Sequence, residues 1–334
     1  MSYVNTTINL NGIVFNIYCN DNDTIRKIKR VFDNMFAPNY NEIIGTKANY
    51  NIHFDLSEDN YNNMISMLAN KECKILNPNI KEYTLDQYKI YHHYSQFFTY
   101  GLDNDYYVIS NNKYSPYYVI LELYLKEYER RKYYLFHGNG IIINNKGINI
   151  IGNSHSGKTT LMSKILQADK KDSSFLSNDR ILLGFDKTLY FPIDLNLDKR
   201  TILNDLYLKD KINTDNEKIY VSPKQFISCY PNLSYDSNST NNLILVPQID
   251  LIERKRMNIR EIKKADIIEL LKYCCFTIED KENPRDEWLK KSNAVDKDID
   301  RLIEYLANEY KAILFEFGCD LEKERVYEKI RKEN

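Results

Sequence analysis

The sequence lacks an excess of charge of either sign: 46 Lys and Arg stand against 47 Asp and Glu, a formal net charge of −1. That balance excludes the basic footprint of a dedicated nucleic-acid binder. Long apolar runs are also missing, since none reaches the roughly 18 residues a membrane span needs. The opening Met1-Ser2-Tyr3-Val4 has neither the basic start nor the apolar stretch of a signal peptide. Cysteine is sparse: Cys19, Cys73, Cys229, Cys274, Cys275 and Cys319 form no C-x-x-C, and five histidines complete no zinc spacing. The expected state of these thiols is buried and reduced. Tryptophan occurs once against 28 Tyr and 14 Phe, a bias from which no function is read. Apolar residues at 43% and charged residues at 28% are ordinary for a globular chain, which sets intrinsic disorder aside. The expectation is a soluble, cytoplasmic protein of one or two domains, bound to neither membrane nor nucleic acid.

The first third reads as a modest α+β portion without a chemical motif. Asn11-Gly12 between Ile8–Leu10 and Ile13–Tyr18 predicts a hairpin with a type I′ turn. Thr24 is placed to cap a helix whose stripe is Ile25, Ile28, Phe32, Met35 and Phe36. Strands are expected at Tyr50–Leu56, Cys73–Leu76 and Tyr106–Ser110, and a helix from Ser115-Pro116. The pair His92-His93 has no completing ligand and is expected at the surface. We set the portions at residues 1–115 and 116–334.

Downstream, Gly140–Asn144 and Gly147–Gly152 form an expected hairpin about Asn145-Lys146, and Arg180–Phe185 with Thr188–Phe191 form another. Lys209–Asn216 and Ser234–Asn242 read as loops, and Leu243–Val246 as a strand ended by Pro247. Helices are expected at Ile262–Cys275 and Glu287–Asn308, before a strand at Ala312–Phe317. Gly152-Asn153-Ser154-His155-Ser156-Gly157-Lys158-Thr159 fits G-x-x-x-x-G-K-[ST], with a strand before it and a helix after it. Glycines let such a loop turn its N–H groups inward onto phosphate oxygens, and the helix N-terminus adds partial positive charge. Lys158 is then expected on the β and γ phosphates, and the Thr159 hydroxyl on Mg²⁺. Gly152 to Thr160 are the expected nucleotide-binding residues. No Asn-Lys-x-Asp base reader accompanies them, because Gly147 and Ile148 follow Asn145-Lys146. Leu243–Asp250 imitates the acid-tipped strand of a motor or transporter ATPase, but Pro247 argues against a central strand there.

His137-Gly138 before the hairpin and Ser177-Asn178-Asp179-Arg180 after the loop helix complete a pattern. With them the chain resembles HPr kinase/phosphorylase, and more closely the serine kinases of peptide natural-product pathways, such as the lasso-peptide kinases. The likeness covers roughly residues 130–325. It implies an α/β P-loop kinase core of the HPr-kinase/PEP-carboxykinase-like type with a mixed sheet, beside a smaller α+β N-terminal portion. It also implies ATP (with GTP not excluded), Mg²⁺, a hydroxyl-bearing acceptor and self-association. Asp179 would take the acceptor's proton, His137 would stand near the γ phosphate or Asp179, and Thr159, Asp179 and Asn178 (through water) would face the metal. Asp179 is expected at the end of a strand beside the loop strand. The departures are Asn178 for the family's first Asp, Thr160 for the Glu of HPr kinase, Gln248 for an Arg, and no basic phosphorolysis loop. Pyrophosphate-driven or phosphatase activity is therefore not expected. The sequence leaves open a nucleotide-dependent switch or a kinase that has lost transfer. Arg200 and Arg254-Lys255-Arg256 are candidate contacts for an acidic partner, or a solvated charged face.

Overall fold

A computed structural model describes residues 3–334 apart from 36–47, 78, 103, 114, 169, 217, 277–293 and 319. The chain divides into two compact units, the first ending at Glu127 and the second beginning at Tyr128. No helix among the described residues is long and apolar enough to cross a membrane.

In the first unit β1 (Val4–Leu10) and β2 (Ile13–Cys19) form the expected hairpin, with Asn11 and Gly12 at positive φ. Next come α1 (Asn22–Met35), β3 (Tyr50–Asp55), α2 (Glu58–Leu68) and a meander of β4 (Cys73–Asn77), β5 (Ile80–Leu85), β6 (Tyr88–His93), β7 (Phe97–Leu102) and β8 (Asp105–Ser110). The sheet order is β1-β2-β3-β8-β7-β6-β5-β4, with β2, β3 and β8 parallel and the other pairs antiparallel. Helix α3 (Ser115–Arg130) carries the chain out of this unit. The cap of α1 is Asp21 rather than Thr24. Its carbonyl accepts the Ile25 N–H, its carboxylate accepts the Asp23 N–H, and the Thr24 hydroxyl donates to it at 2.7 Å. The paired histidines are not at the surface either. His93 is fully buried with Nε2 2.7 Å from Thr99 Oγ1, and His92 stacks on Phe98. Burial pushes them down to about 4 (His92) and about 3 (His93), so both pack as neutral aromatic rings.

The second unit opens with β9 (Tyr134–Ile143) and β10 (Lys146–Ile151), then α4 (Lys158–Leu166), β11 (Ser173–Ser177), β12 (Arg180–Leu183) and β13 (Lys187–Tyr190). A small pair, β14 (Leu195–Asp198) with β15 (Lys218–Val221), flanks α5 (Lys199–Asn204). After α6 (Pro223–Cys229) come β16 (Ser234–Tyr235), β17 (Asn238–Asp250), β18 (Met257–Glu261), α7 (Lys264–Cys274), α8 (Ala294–Glu309), β19 (Lys311–Gly318) and α9 (Lys323–Glu333). The sheet order is β16-β11-β9-β12-β13-β17-β19-β18, and β10 joins β9 antiparallel to β17 parallel. The mixed α/β class is as expected. Inside the closed path β9-β12-β13-β17-β10, buried Asn149, Thr188 and Asn241 satisfy one another, with Thr188 Oγ1 donating to Asn149 Oδ1 at 2.8 Å. Helices α7 and α8 bury Ile267, Leu271, Ile299, Leu302, Ile303 and Leu306 against Tyr134, Phe136, Ile151 and Ile244 of the sheet.

Several boundaries move. The turn between β9 and β10 is Asn144-Asn145, both at positive φ, one residue earlier than expected; asparagine tolerates that conformation. Residues 238–242 are strand rather than loop, and β17 runs through Pro247 as a central strand. Proline is tolerated there because the β10 register stops at Leu245, so on that side Pro247 faces the loop, while Phe315 of β19 is its register partner on the other. Strand β11 is not beside β10: β9 lies between them. Of the cysteines, Cys19, Cys229, Cys274 and Cys275 are buried and Cys73 is exposed; Cys319 and the expected helix start at 287–293 lie outside the described residues.

One buried carboxylate locks α4 in place. Asp205, fully buried, accepts from Ser163 Oγ of α4 and from the Tyr230 hydroxyl, both at 2.5 Å, and from the N–H groups of Tyr207 and Leu208. Gln167 donates to the same Ser163 hydroxyl at 3.1 Å. Replacing Asp205 by Ala strands four donors at once. We expect a loss of about 3 kcal/mol in denaturant unfolding, and a loss within ordinary surface scatter would contradict this role.

Candidate functional site

The glycine loop is built by local necessity. Strand β10 ends at Ile151 and α4 begins at Lys158, with Gly157 at φ +98 as its N-cap and no side chain capping the helix. A Cβ on Gly157 would stand 3.0 Å from Ile249 Cβ and 3.1 Å from Phe317 Cζ, so both the backbone angle and the space demand glycine. A Cβ on Gly152 would meet Ser156 Oγ at 2.8 Å. The loop is fastened to β17 by Ile249 N–H donating to Ser156 O at 3.1 Å. The uncapped helix start leaves first-turn N–H groups facing the loop's mouth. Asn153, Ser154 and His155 are exposed, His155 at positive φ. Lys158 is buried and arches back, its Nζ donating to the carbonyls of Gly152 and Asn153 at 2.9 Å each. Burial pushes its ammonium below the usual lysine range, and the nearby Asp179 charge opposes that shift.

Asp179 lies in the two-residue link between β11 and β12, at φ +64. Two contacts from β9 hold that left-handed backbone: Asp179 N–H donates to Asn139 Oδ1 at 2.8 Å, and Asp179 O accepts from Gly138 N–H at 3.2 Å. A third contact holds the carboxylate, with His137 Nε2 3.3 Å from Oδ1. The hydrogen bond from His137 pulls the carboxyl below the usual range, burial opposes it, and the Arg180 and Lys158 charges add to the lowering. The side chain remains 39% exposed, so the oxygens stay reachable. Asn178, 2% exposed, accepts from Thr159 Oγ1 at 3.4 Å. Thr160 Oγ1 lies 3.3 Å from Thr201 Oγ1.

The proposed residues from two distant stretches, His137 on β9 and those between 152 and 179, thus meet on one side of the second unit. Others turn away. Asp250 closes its own turn, accepting from Ile252 and Glu253 N–H at 2.9 Å each and pairing with Arg256 at 3.5 Å. Arg254 pairs with Asp320 and Arg256 with Glu316, so both arginines of this basic cluster are spent on intramolecular ion pairs. Arg200 is exposed, on α5. Sequence reading missed Asn139, Phe276 and Cys274. Phe276 lies against both His137, at 5.8 Å between rings, and the Arg180 guanidinium, at 5.1 Å. The buried Cys274 thiol, pushed up to about 11 by burial, receives the Gly152 N–H. Only Asn139 had a visible signal, its place between two glycines two residues after His137. Among the described residues no group of three His, Cys, Asp or Glu side chains is set to hold a metal ion.

A depressed carboxyl contributes stability that is present above its unfolded value, roughly 3.9, and is lost as pH falls through the lower folded value. In His137→Ala the main cause of the depression disappears while burial remains. Carbon-13 titration of the Asp179 carboxyl is expected to show its midpoint moving up; an unmoved or lowered midpoint would show that the pair is not coupled.

No family model matches this chain, and no curated protein does. Among solved structures it is similar to the HPr(Ser) kinase/phosphatase from Coxiella burnetii, at 13% identity, over 59% of this chain and 91% of that one, with a TM-score of 0.24. A likeness that loose does not establish the fold.

Proposed function

We propose that this chain is an ATP- and Mg²⁺-dependent kinase of the HPr-kinase-like type, moving the γ-phosphoryl group to a Ser- or Thr-like hydroxyl. The acceptor class is a peptide, a protein or a small biosynthetic intermediate, and the motif spelling favours a peptide natural product. The observation that carries the reading is a single reachable carboxylate, Asp179, held within electrostatic range of Lys158 at the head of the uncapped, glycine-curled loop. Phosphoryl transfer asks a protein chiefly for positioning and charge. Residues 152–160 would cradle the polyphosphate through backbone N–H groups, with Lys158 swinging from its carbonyl partners onto phosphate oxygens. The acceptor oxygen would attack the γ phosphorus, its proton would pass to Asp179, and the bond to the β–γ bridging oxygen would break to release ADP. His137 would keep the receiving carboxylate oriented.

The residues present suit a hard cation. Thr159 and Asn178 offer neutral oxygens and Asp179 one charge, a set fitting Mg²⁺, which takes one or two carboxylates beside phosphate and water. When bound, that ion would neutralise phosphate charge. Asn178 favours a second reading, a nucleotide binder without transfer, because an amide supplies no second negative charge. The two separate in one comparison. Lys158→Ala is expected to abolish binding of a non-hydrolysable ATP analogue measured by calorimetry. Asp179→Asn is expected to keep binding while labelled transfer to hydroxyl-bearing peptides falls roughly 10²–10⁴-fold. Binding with no labelled product from the wild-type chain on any acceptor would leave only the binder.

A further inference from the structure

Arg180 is a cation at the edge of this site, and its charge acts on neighbouring Asp179. Its Cα is the register partner of His137 across β9 and β12, and its guanidinium lies over the Phe276 ring at 5.1 Å. Phe276 is itself fixed, its N–H donating to Leu135 O at 2.9 Å. Arg180 Nε is buried and has no hydrogen-bond partner among the described residues. The adjacent carboxylate of Asp179 is engaged by His137. Elsewhere in this unit Arg254, Arg256 and Arg331 each have a carboxylate within 4.0 Å. A guanidinium whose Nε is buried without a partner bears a desolvation cost that an incoming oxyanion would offset.

The surroundings lean the same way. Asn139 and Asn178, 0% and 2% exposed, each leave an amide nitrogen unpartnered among the described residues, and Ser156 leaves its hydroxyl. The loop's own cations do not extend to Arg180, which is two strands from the loop strand by register: Ile151 pairs with Gly138, and His137 pairs with Arg180. At ordinary strand spacing that is roughly 10 Å, on the far side of His137 from the loop.

We infer that Arg180, backed by Phe276, binds an oxyanion carried by the phosphate acceptor, a carboxylate or phosphate next to the hydroxyl that reacts. The inference rests on the kinase reading, with the nucleotide held by the loop. Arginine suits this task because its planar fork meets two oxygens at once, and stacking on an aromatic ring fixes its plane. The acceptor class thereby narrows to hydroxyl compounds or peptide segments with a negative charge beside the acceptor oxygen.

Sulfate is a suitable probe, because it presents an oxyanion and cannot enter phosphoryl transfer. With the loop saturated by AMP-PNP and Mg²⁺, calorimetry should show one further sulfate bound to the wild-type chain. Arg180→Gln should weaken that sulfate about tenfold or more and leave AMP-PNP affinity unchanged. Arg180→Lys should recover part of it, and unchanged AMP-PNP binding reports that each variant is folded. No sulfate binding beyond the nucleotide, sulfate binding indifferent to Arg180→Gln, or an equal loss of AMP-PNP affinity would each overturn the inference. If AMP-PNP itself does not bind the wild-type chain, the kinase reading fails first, a result distinct from the other three.

Discussion

Asp179 is held by three consecutive residues of β9: His137 on the carboxylate, Gly138 on the carbonyl and Asn139 on the N–H. The same strand pairs with β10 up to Ile151, the residue before the loop. One strand therefore sets both the height of the loop and the place of the acid, although neither is its neighbour in sequence. Glycine at 138 belongs to that arrangement, since a Cβ there would approach Ile150 O at 3.0 Å and Ile181 Cδ1 at 3.2 Å. Any slip of the β9–β10 register would carry acid and loop apart together, because alternate residues face opposite sides of a sheet.

The glycine loop was more legible in the sequence than the topology. Glycine spacing and the Lys-Thr pair are local signals, and the loop they describe forms from residues within eight positions of one another. The partnership of His137 with Asp179 is not local; it was reached through resemblance, and the geometry brings the two together at 3.3 Å. Strand order was the weaker part. Placing β11 beside β10 assumed that consecutive strands are adjacent, but β9 can pair on both edges and takes the intervening place. Pro247 misled for a related reason: its missing N–H costs a ladder bond only on an edge that needs one, and on the β10 edge that strand has already ended, although β19 still pairs across it. The meander at 80–102 and the burial of His93 escaped because tyrosine and histidine there alternate without a polar face.

Charge at the site follows from burial more than from number. Lys158 is buried against two carbonyls, a neutral contact, and its charge is acted on at longer range by Cys274 and Asp179. The hydrogen bond from His137 holds the Asp179 carboxyl below the usual carboxylate range, and its exposure keeps it open to a second donor. The Asp205 cluster anchors α4 through Ser163 and Gln167, toward the end of the helix away from the loop. Rigidity thus resides in buried polar bonds, while the carboxylate to which the proposed transfer assigns the proton stays exposed.

The most direct measurement is a crystal structure of the chain with AMP-PNP and Mg²⁺. The account predicts the triphosphate inside residues 152–159, with an Asp179 oxygen directed at the γ phosphorus and room between them for one hydroxyl, roughly 3 Å from each. A nucleotide bound elsewhere, or an Asp179 side chain turned from the terminal phosphate with the loop filled, would contradict it.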